Sequence, residues 1–236
     1  MKTKEDFLEG QTLLIDKPLE WSSFQAVNSI KWSIRRKFEL KKIKVGHAGT
    51  LDPLATGLLL ICTGKSTKTI NELQGQAKEY SGTITLGGTT PSYDLESEIN
   101  ETFPTEHITE ALIKEATQQF LGEIEQAPPI FSALKKDGKR LYEYAREGIE
   151  VEIKKRPITI HEFEITAIED NIVSFRVACS KGTYIRSLAH DFGIALKSGA
   201  HLSSLRRTKI GNYNVDNAIT TEAFNKLLNP ESEENL

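Results

Sequence analysis

Asp52 is the carboxylate in this chain whose setting ordinary packing does not require. It lies in the run Gly46-His47-Ala48-Gly49-Thr50-Leu51-Asp52-Pro53-Leu54-Ala55-Thr56-Gly57. Gly46 and Gly49 open backbone angles closed to other residues, and Pro53 pushes Asp52 toward an extended conformation, so local covalent geometry aims the side chain. A carboxylate held in this way suits nucleophilic attack. An Asp-Pro pair alone reads as a turn between a glycine-rich loop and an apolar strand, and the whole run outweighs that reading.

Other chemistries lack their spacing. Gly64-Lys65-Ser66 ends like a phosphate-binding P-loop, but the position that needs a second glycine is Leu59, so a strand followed by a glycine turn fits better. His47, His107, His161, His190 and His201 show no HExxH or other ligand spacing, and no catalytic metal is expected. A Ser-His-Asp hydrolase is unsupported because no GxSxG elbow is present. Cys62 and Cys179 lie far apart in apolar contexts, as reduced structural thiols of a cytosolic protein do. Met1 to Gly10 is charged and lacks the apolar stretch of a signal peptide, and the longest apolar run, Leu58 to Cys62, is too short to span a membrane. The expected location is the cytoplasm.

The formal net charge of −3 argues against a nucleic-acid partner, whereas its distribution argues for one. Lys31, Arg35, Arg36, Lys37, Lys41, Lys42 and Lys44 face only Glu39 in their window, and Arg176, Lys181, Arg186, Lys197, Arg206, Arg207 and Lys209 face only Asp191. Compensating acids gather between Asp94 and Glu125 and at Glu231, Glu233 and Glu234. Such separation of sign lets one face bind phosphates despite an acidic total.

The elements that must position these residues follow from pattern. Thr12 to Asp16 reads as a strand ending in Lys17-Pro18. Ser22 or Ser23 then caps a helix with Phe24, Val27, Ile30, Ile34 and Phe38 on its apolar face. Leu58 to Cys62 and Tyr80 to Leu86 read as strands, Thr89 to Pro104 as a loop, and Thr109 as the cap of a helix through Leu121 stopped by Gly122. Pro128-Pro129 opens an insertion that ends in a short helix before Gly148. Val151 to Lys154, Ile158 to Ile168 and Ile172 to Ala178 read as antiparallel strands. Thr183 opens a helix carrying Ile185, Leu188, Phe192 and Leu196. A last strand, Ser203 to Tyr213, and a terminal helix, Thr221 to Leu228, complete the chain. Without regular βαβ alternation, the expected class is α+β with a mixed, mostly antiparallel sheet flanked by helices.

Taken in order, Leu14-Ile15-Asp16-Lys17-Pro18, the Asp52 loop, Lys78-Glu79-Tyr80, the Pro128 to Gly148 insertion, Ser180-Lys181-Gly182-Thr183-Tyr184-Ile185-Arg186 and Leu205-Arg206-Arg207-Thr208 resemble the bacterial tRNA pseudouridine-55 synthase family over roughly residues 11 to 220. The resemblance implies a pseudouridine synthase fold and an isomerase that breaks the N1–C1′ bond of a uridine, turns the base over and rejoins it through C5. A glycoside hydrolase normally needs a second carboxylate as general acid, and this loop supplies one. By resemblance Asp52 attacks either C1′ of the sugar or C6 of the base, and Arg186 pairs with it. Tyr80 stacks on the flipped base or takes the C5 proton, Tyr184 lines the same pocket, His47 fills the gap that the base leaves, and Leu205 packs against the pocket. Lys17 and Pro18 shape the strand end rather than act chemically. No cofactor is implied.

In the family the insertion clamps the T arm of tRNA. Here residues 127–152 carry Lys135, Lys136, Lys139, Arg140 and Arg146 around Tyr142 and Tyr144, and mobility without RNA is expected. The expected organisation is one catalytic domain over residues 1–236, with that tRNA-binding segment inserted, an acidic tail at 229–236 and no PUA domain. The expected partner is tRNA through its T stem-loop, with no membrane, no metal and no obligatory protein partner, and the expected state is a monomer. The rival readings are an RNA-binding or tRNA-folding protein with secondary or no catalysis, and a synthase acting on another RNA.

Overall fold

The computed structural model describes residues 2–132, 134–149 and 151–230. The acidic tail expected at 229–236 lies outside them from residue 231 onward. The described residues form two compact units: the first takes the chain up to Glu79 and again from Arg206, and the second runs Tyr80–Leu205.

In the first unit the strand Ala55–Thr63 is central. It pairs antiparallel with Thr12–Lys17, in a register that sets Thr12 opposite Cys62 and Lys17 opposite Gly57. Its apolar run is continuous because both faces are covered. Leu59 and Ile61 join Phe7, Ile15, Ile30, Ile34 and Phe224 on one side, while Leu58, Leu60 and Cys62 meet Ala48, Leu73, Ile210 and Val215 on the other. Thr12–Lys17 also pairs parallel with Ile219–Thr220, and Val45–His47 pairs antiparallel with Ala55–Thr63. The sheet is therefore mixed and mostly antiparallel.

The helix Ser23–Lys37 is capped by Ser22, whose hydroxyl accepts from the Gln25 amide while Gln25 Oε1 accepts from the Ser22 amide. Its buried face is Ala26, Val27, Ile30, Ser33 and Ile34. Phe24, expected on that face, is 70% exposed. At about 100° per residue it points roughly 120° away from Ile30. The terminal helix forms over Thr221–Leu228, capped by Thr220.

The second unit is built on Arg156–Glu169, which pairs antiparallel with Ile172–Cys179 on one edge and with Gly122–Gln126 on the other. Its core is aromatic: Phe163 packs against Phe120, Phe175 and Phe192 with ring centroids 5.5–6.1 Å apart. Strand Gly122–Gln126 occupies what the sequence presents as an acidic stretch after a helix. Conversely, Val151 to Lys154 forms no strand; its alternation finds no neighbouring strand, and the Glu152 carbonyl accepts from Lys136 Nζ instead. The helix expected from Thr183 runs Ile185–Ala195, because Thr183 Oγ1 donates back to the Ser180 carbonyl and closes the preceding turn. The inserted segment holds a two-stranded hairpin, Lys135–Lys136 with Lys139–Arg140, followed by the helix Leu141–Arg146. No helix among the described residues is long and apolar enough to cross a membrane.

Candidate active site

In the first unit the loop bearing Asp52 is fixed through its backbone by buried polar side chains from different elements. Ser23, 2% exposed at the start of its helix, accepts from the Leu51 amide at 2.8 Å and donates to the Leu51 carbonyl at 3.1 Å. Arg207, 1% exposed, donates through Nη2 to the Gly49 carbonyl, through Nη1 to the Thr50 carbonyl and through Nε to the Leu58 carbonyl at 2.8 Å. Lys17, fully buried, donates to the carbonyls of Pro18, Trp21 and Pro53. The Asp52 carbonyl accepts from the Ala55 amide at 3.1 Å. Residues 49 to 53 are thus tied down by their main chain, and Asp52 is part-exposed within this fixed loop.

Backbone approach explains one glycine. Gly57 has φ +100, and a Cβ there would lie 2.3 Å from the Arg207 carbonyl oxygen, so only glycine lets the central strand come this close to the residue whose guanidinium holds the loop.

Arg207 acts on the titrating groups beside it. The Lys17 ammonium is pulled down to about 8 by burial and by Arg207, against the pull of the nearby Asp52 carboxylate. Burial, then Arg207, lowers the His47 pKa, so this imidazole is neutral at pH 7 and suits stacking rather than ion pairing.

In the second unit, Gln126, 2% exposed, clasps the Tyr184 backbone: its Nε2 donates to the Tyr184 carbonyl at 3.1 Å and its Oε1 accepts from the Tyr184 amide at 2.8 Å. Gly182, at φ +81, makes the preceding turn. Arg186 follows in the first turn of the helix, where Ser187 Oγ donates to the Ala127 carbonyl. The Arg186 guanidinium donates to the carbonyls of Ser92 and Phe131, and its Nε lies 3.6 Å from Asp94 Oδ2, with both side chains buried. Asp94 is set by a tight turn in which Thr90 Oγ1 donates to the Asp94 carbonyl and Tyr93 takes φ +64. The Tyr93 ring stacks on His190 at 4.0 Å between centroids. Tyr80, 9% exposed, stands near the start of Lys78–Leu86, and Leu205 stands on Ala200–Ile210.

The site residues expected from sequence therefore divide. Asp52 and His47 belong to the first unit; Tyr80, Tyr184, Arg186, Leu205, Lys135, Arg140 and Arg146 belong to the second. Lys135, Arg140 and Arg146 are exposed, with Arg140 and Arg146 over the Tyr142 ring at 5.8 and 5.3 Å. The basic run around residue 31 remains solvent-facing, but the second basic region is largely engaged internally. Arg176 pairs with Glu162 and Glu164, Arg206 with Asp16 and Lys209 with Glu79, and Arg207 is buried. Sequence reasoning missed Ser23, Gln126, Asp94 and the role of Arg207. Ser22 next to Ser23 was a usable signal, since only one of two serines can cap the helix. Gln126 gave none.

Comparison with known proteins places the chain in a family. Residues 35–185 match the model described as TruB family pseudouridylate synthase (N terminal domain), and residues 186–236 match tRNA pseudouridylate synthase B C-terminal domain. The chain is 68% identical to tRNA pseudouridine synthase B of Flavobacterium johnsoniae, over 96% of this chain and 99% of the relative. It is 56% identical to the protein of the same name from Phocaeicola vulgatus, over 93% of each. Among solved structures it resembles a chain of an H/ACA ribonucleoprotein bound to a substrate RNA containing 2′-deoxyuridine, at TM-score 0.64 and 29% identity, covering 92% of this chain and 52% of that one. It also resembles a chain of a Cbf5-Nop10-Gar1 complex, at TM-score 0.67 and 31% identity, covering 93% of this chain and 54% of that one. The chain thus spans about half the length of those two structures' chains. On the match over residues 35–185 and these identities, the chain belongs to the TruB family of pseudouridylate synthases.

Proposed function

We propose that the protein is a tRNA pseudouridine synthase that converts uridine 55 in the T loop to pseudouridine, acting as a cytoplasmic monomer without an obligatory protein partner. The observation that carries the reading is the Asp52 loop of a TruB family member, whose main chain is clasped on both sides of the carboxylate by Ser23, Arg207 and Lys17. Preorganisation of this kind is what a nucleophile needs, because it removes the cost of orienting the group during reaction.

The isomerisation is redox-neutral. The N1–C1′ bond breaks, the detached base turns, C5 bonds to C1′, the C5 proton leaves and N1 takes up a proton, so atoms balance. Asp52 supplies the nucleophile at C1′ or C6, and Arg186 steadies its carboxylate. Taking the target from a folded loop costs a few kcal/mol; stacking on Tyr80 offsets it, at about 1–3 kcal/mol for one base on an aromatic ring. Tyr184 and Leu205 line the pocket, and a neutral His47 occupies the place that the base vacates. Lys135, Arg140 and Arg146 bind the phosphates of the T arm, and their segment orders on RNA.

Mapping pseudouridine across cellular RNA from a strain lacking this protein tests the assignment. Loss confined to tRNA position 55 is expected. Loss at other RNA positions alone favours a synthase of different substrate, and no loss favours an RNA-binding or tRNA-folding protein.

A further inference from the structure

Arg156 begins the strand Arg156–Glu169 and sits directly across from Gln126 in the antiparallel register. Cross-strand neighbours share a face, and both side chains here reach Tyr184. Gln126 holds its backbone by two hydrogen bonds, while the Arg156 guanidinium carbon lies 5.7 Å from its ring centroid. Tyr184 is thereby pinned through main chain and ring by one cross-strand pair.

The two partners differ in satisfaction. Gln126 uses both ends of its amide, whereas Arg156 Nη2 is buried without a hydrogen-bond partner. Among the described residues no carboxylate pairs with Arg156, nor with Lys154 or Lys155, which precede it and are exposed. Asp191, the carboxyl that feels Lys155, is raised to about 6 by burial, opposed by Lys155. A desolvated guanidinium N–H with no acceptor carries a penalty that a ligand oxygen removes. The fork of a guanidinium matches a phosphate, and its flat face tolerates stacking on an aromatic ring at the same time.

We propose that Arg156 is a substrate-binding residue: it stays stacked on Tyr184 and donates to a backbone phosphate next to the flipped uridine, within the cationic run Lys154-Lys155-Arg156. This rests on the pseudouridine synthase reading, in which Tyr184 lines the pocket. A flipped nucleotide carries its own flanking phosphates to the pocket mouth, so an anion arrives with the base.

The test measures binding of a T-arm RNA against salt for wild type and Arg156→Gln, with a neutral methylphosphonate placed in turn at each phosphate flanking the target. Loss of one phosphate contact should flatten the slope of log K against log salt by about 0.7–0.9 and weaken binding on the order of tenfold. One methylphosphonate should weaken wild type by a similar factor and should not weaken R156Q further. An unchanged salt slope, or equal cost of every methylphosphonate in both proteins, overturns the assignment and leaves Arg156 as a strut for Tyr184. If R156Q does not fold, Arg156→Lys takes its place: it keeps the charge but not the fork, so the methylphosphonate must cost less than in wild type, and equal cost overturns the proposal. Tritium release from C5-labelled uridine by wild type is followed on the same RNA. Its absence counts against the synthase reading, whereas release with an unaltered slope counts against Arg156 alone.

Discussion

The Ser23 hydroxyl and the Leu51 peptide groups close a reciprocal pair, accepting at 2.8 Å and donating at 3.1 Å, one residue before Asp52. Because Ser22 performs the helix cap, Ser23 is free to hold the loop. Ser23→Ala leaves a buried amide and carbonyl without partners, which costs about 1–3 kcal/mol of stability. A displacement of about 1 Å at a reacting group can lower a rate about a hundredfold, so kcat for tRNA should fall far more than KM changes, and Ser23→Thr, which keeps the hydroxyl, should recover much of it. Steady-state kinetics of both variants decide this; a rise in KM with kcat intact would mean that Ser23 does not position the nucleophile.

Gly57 is held at φ +100 with the Arg207 backbone where a side chain would go. Gly57→Ala should destabilise the fold by about 2–5 kcal/mol, from backbone strain and overpacking together. Gly75 offers a control, since a Cβ there meets nothing within 4 Å and alanine is the better helix former. Urea unfolding of the two variants should place G57A well below wild type and G75A near it.

Lys17 gives stability and activity opposite dependences on pH. Its pKa is drawn down from 10.5 to about 8, so between those values the unfolded chain holds a proton that the folded chain has released, and unfolding free energy from this group rises with pH across the window. Over the same window the ammonium that serves the carbonyls of Pro18, Trp21 and Pro53 becomes an amine with one N–H fewer. Catalytic rate should therefore decline above about pH 8 while denaturant resistance does not. Measured from pH 7 to 10.5, Lys17→Met should lack both trends; an alkaline limb unchanged in K17M would assign it to another group.

Much of the framework was legible because one-dimensional signals carry it. The apolar run ending at Cys62, the Ser22 cap and the terminal helix from Thr221 to Leu228 follow from local pattern. The turn that carries Asp52 was legible because Gly49, at φ +96, and Pro53 shape its backbone, whereas Gly46 sits in the strand Val45–His47 and takes no positive φ. Residues whose role depends on distant partners were not. Arg207 reads as one more surface cation in a basic stretch, yet it is buried against carbonyls some 150 residues earlier in the chain. Gln126 sits in a run of acids with no apolar period, and its strand exists because Arg156–Ile160 pairs with it. Phe24 shows the converse error: spacing of three residues from Val27 allowed the apolar face, while the cap geometry turned it to solvent.

The central claim is that the Asp52 carboxylate, rather than RNA binding, is what the clasped loop exists to present. Tritium release from C5-labelled uridine in tRNA by Asp52→Asn, measured beside tRNA affinity, tests it most directly. Release should vanish with affinity within about threefold of wild type, the change expected when an uncharged isostere replaces a group that does not contact phosphate. Release at the wild-type rate by D52N would contradict the account.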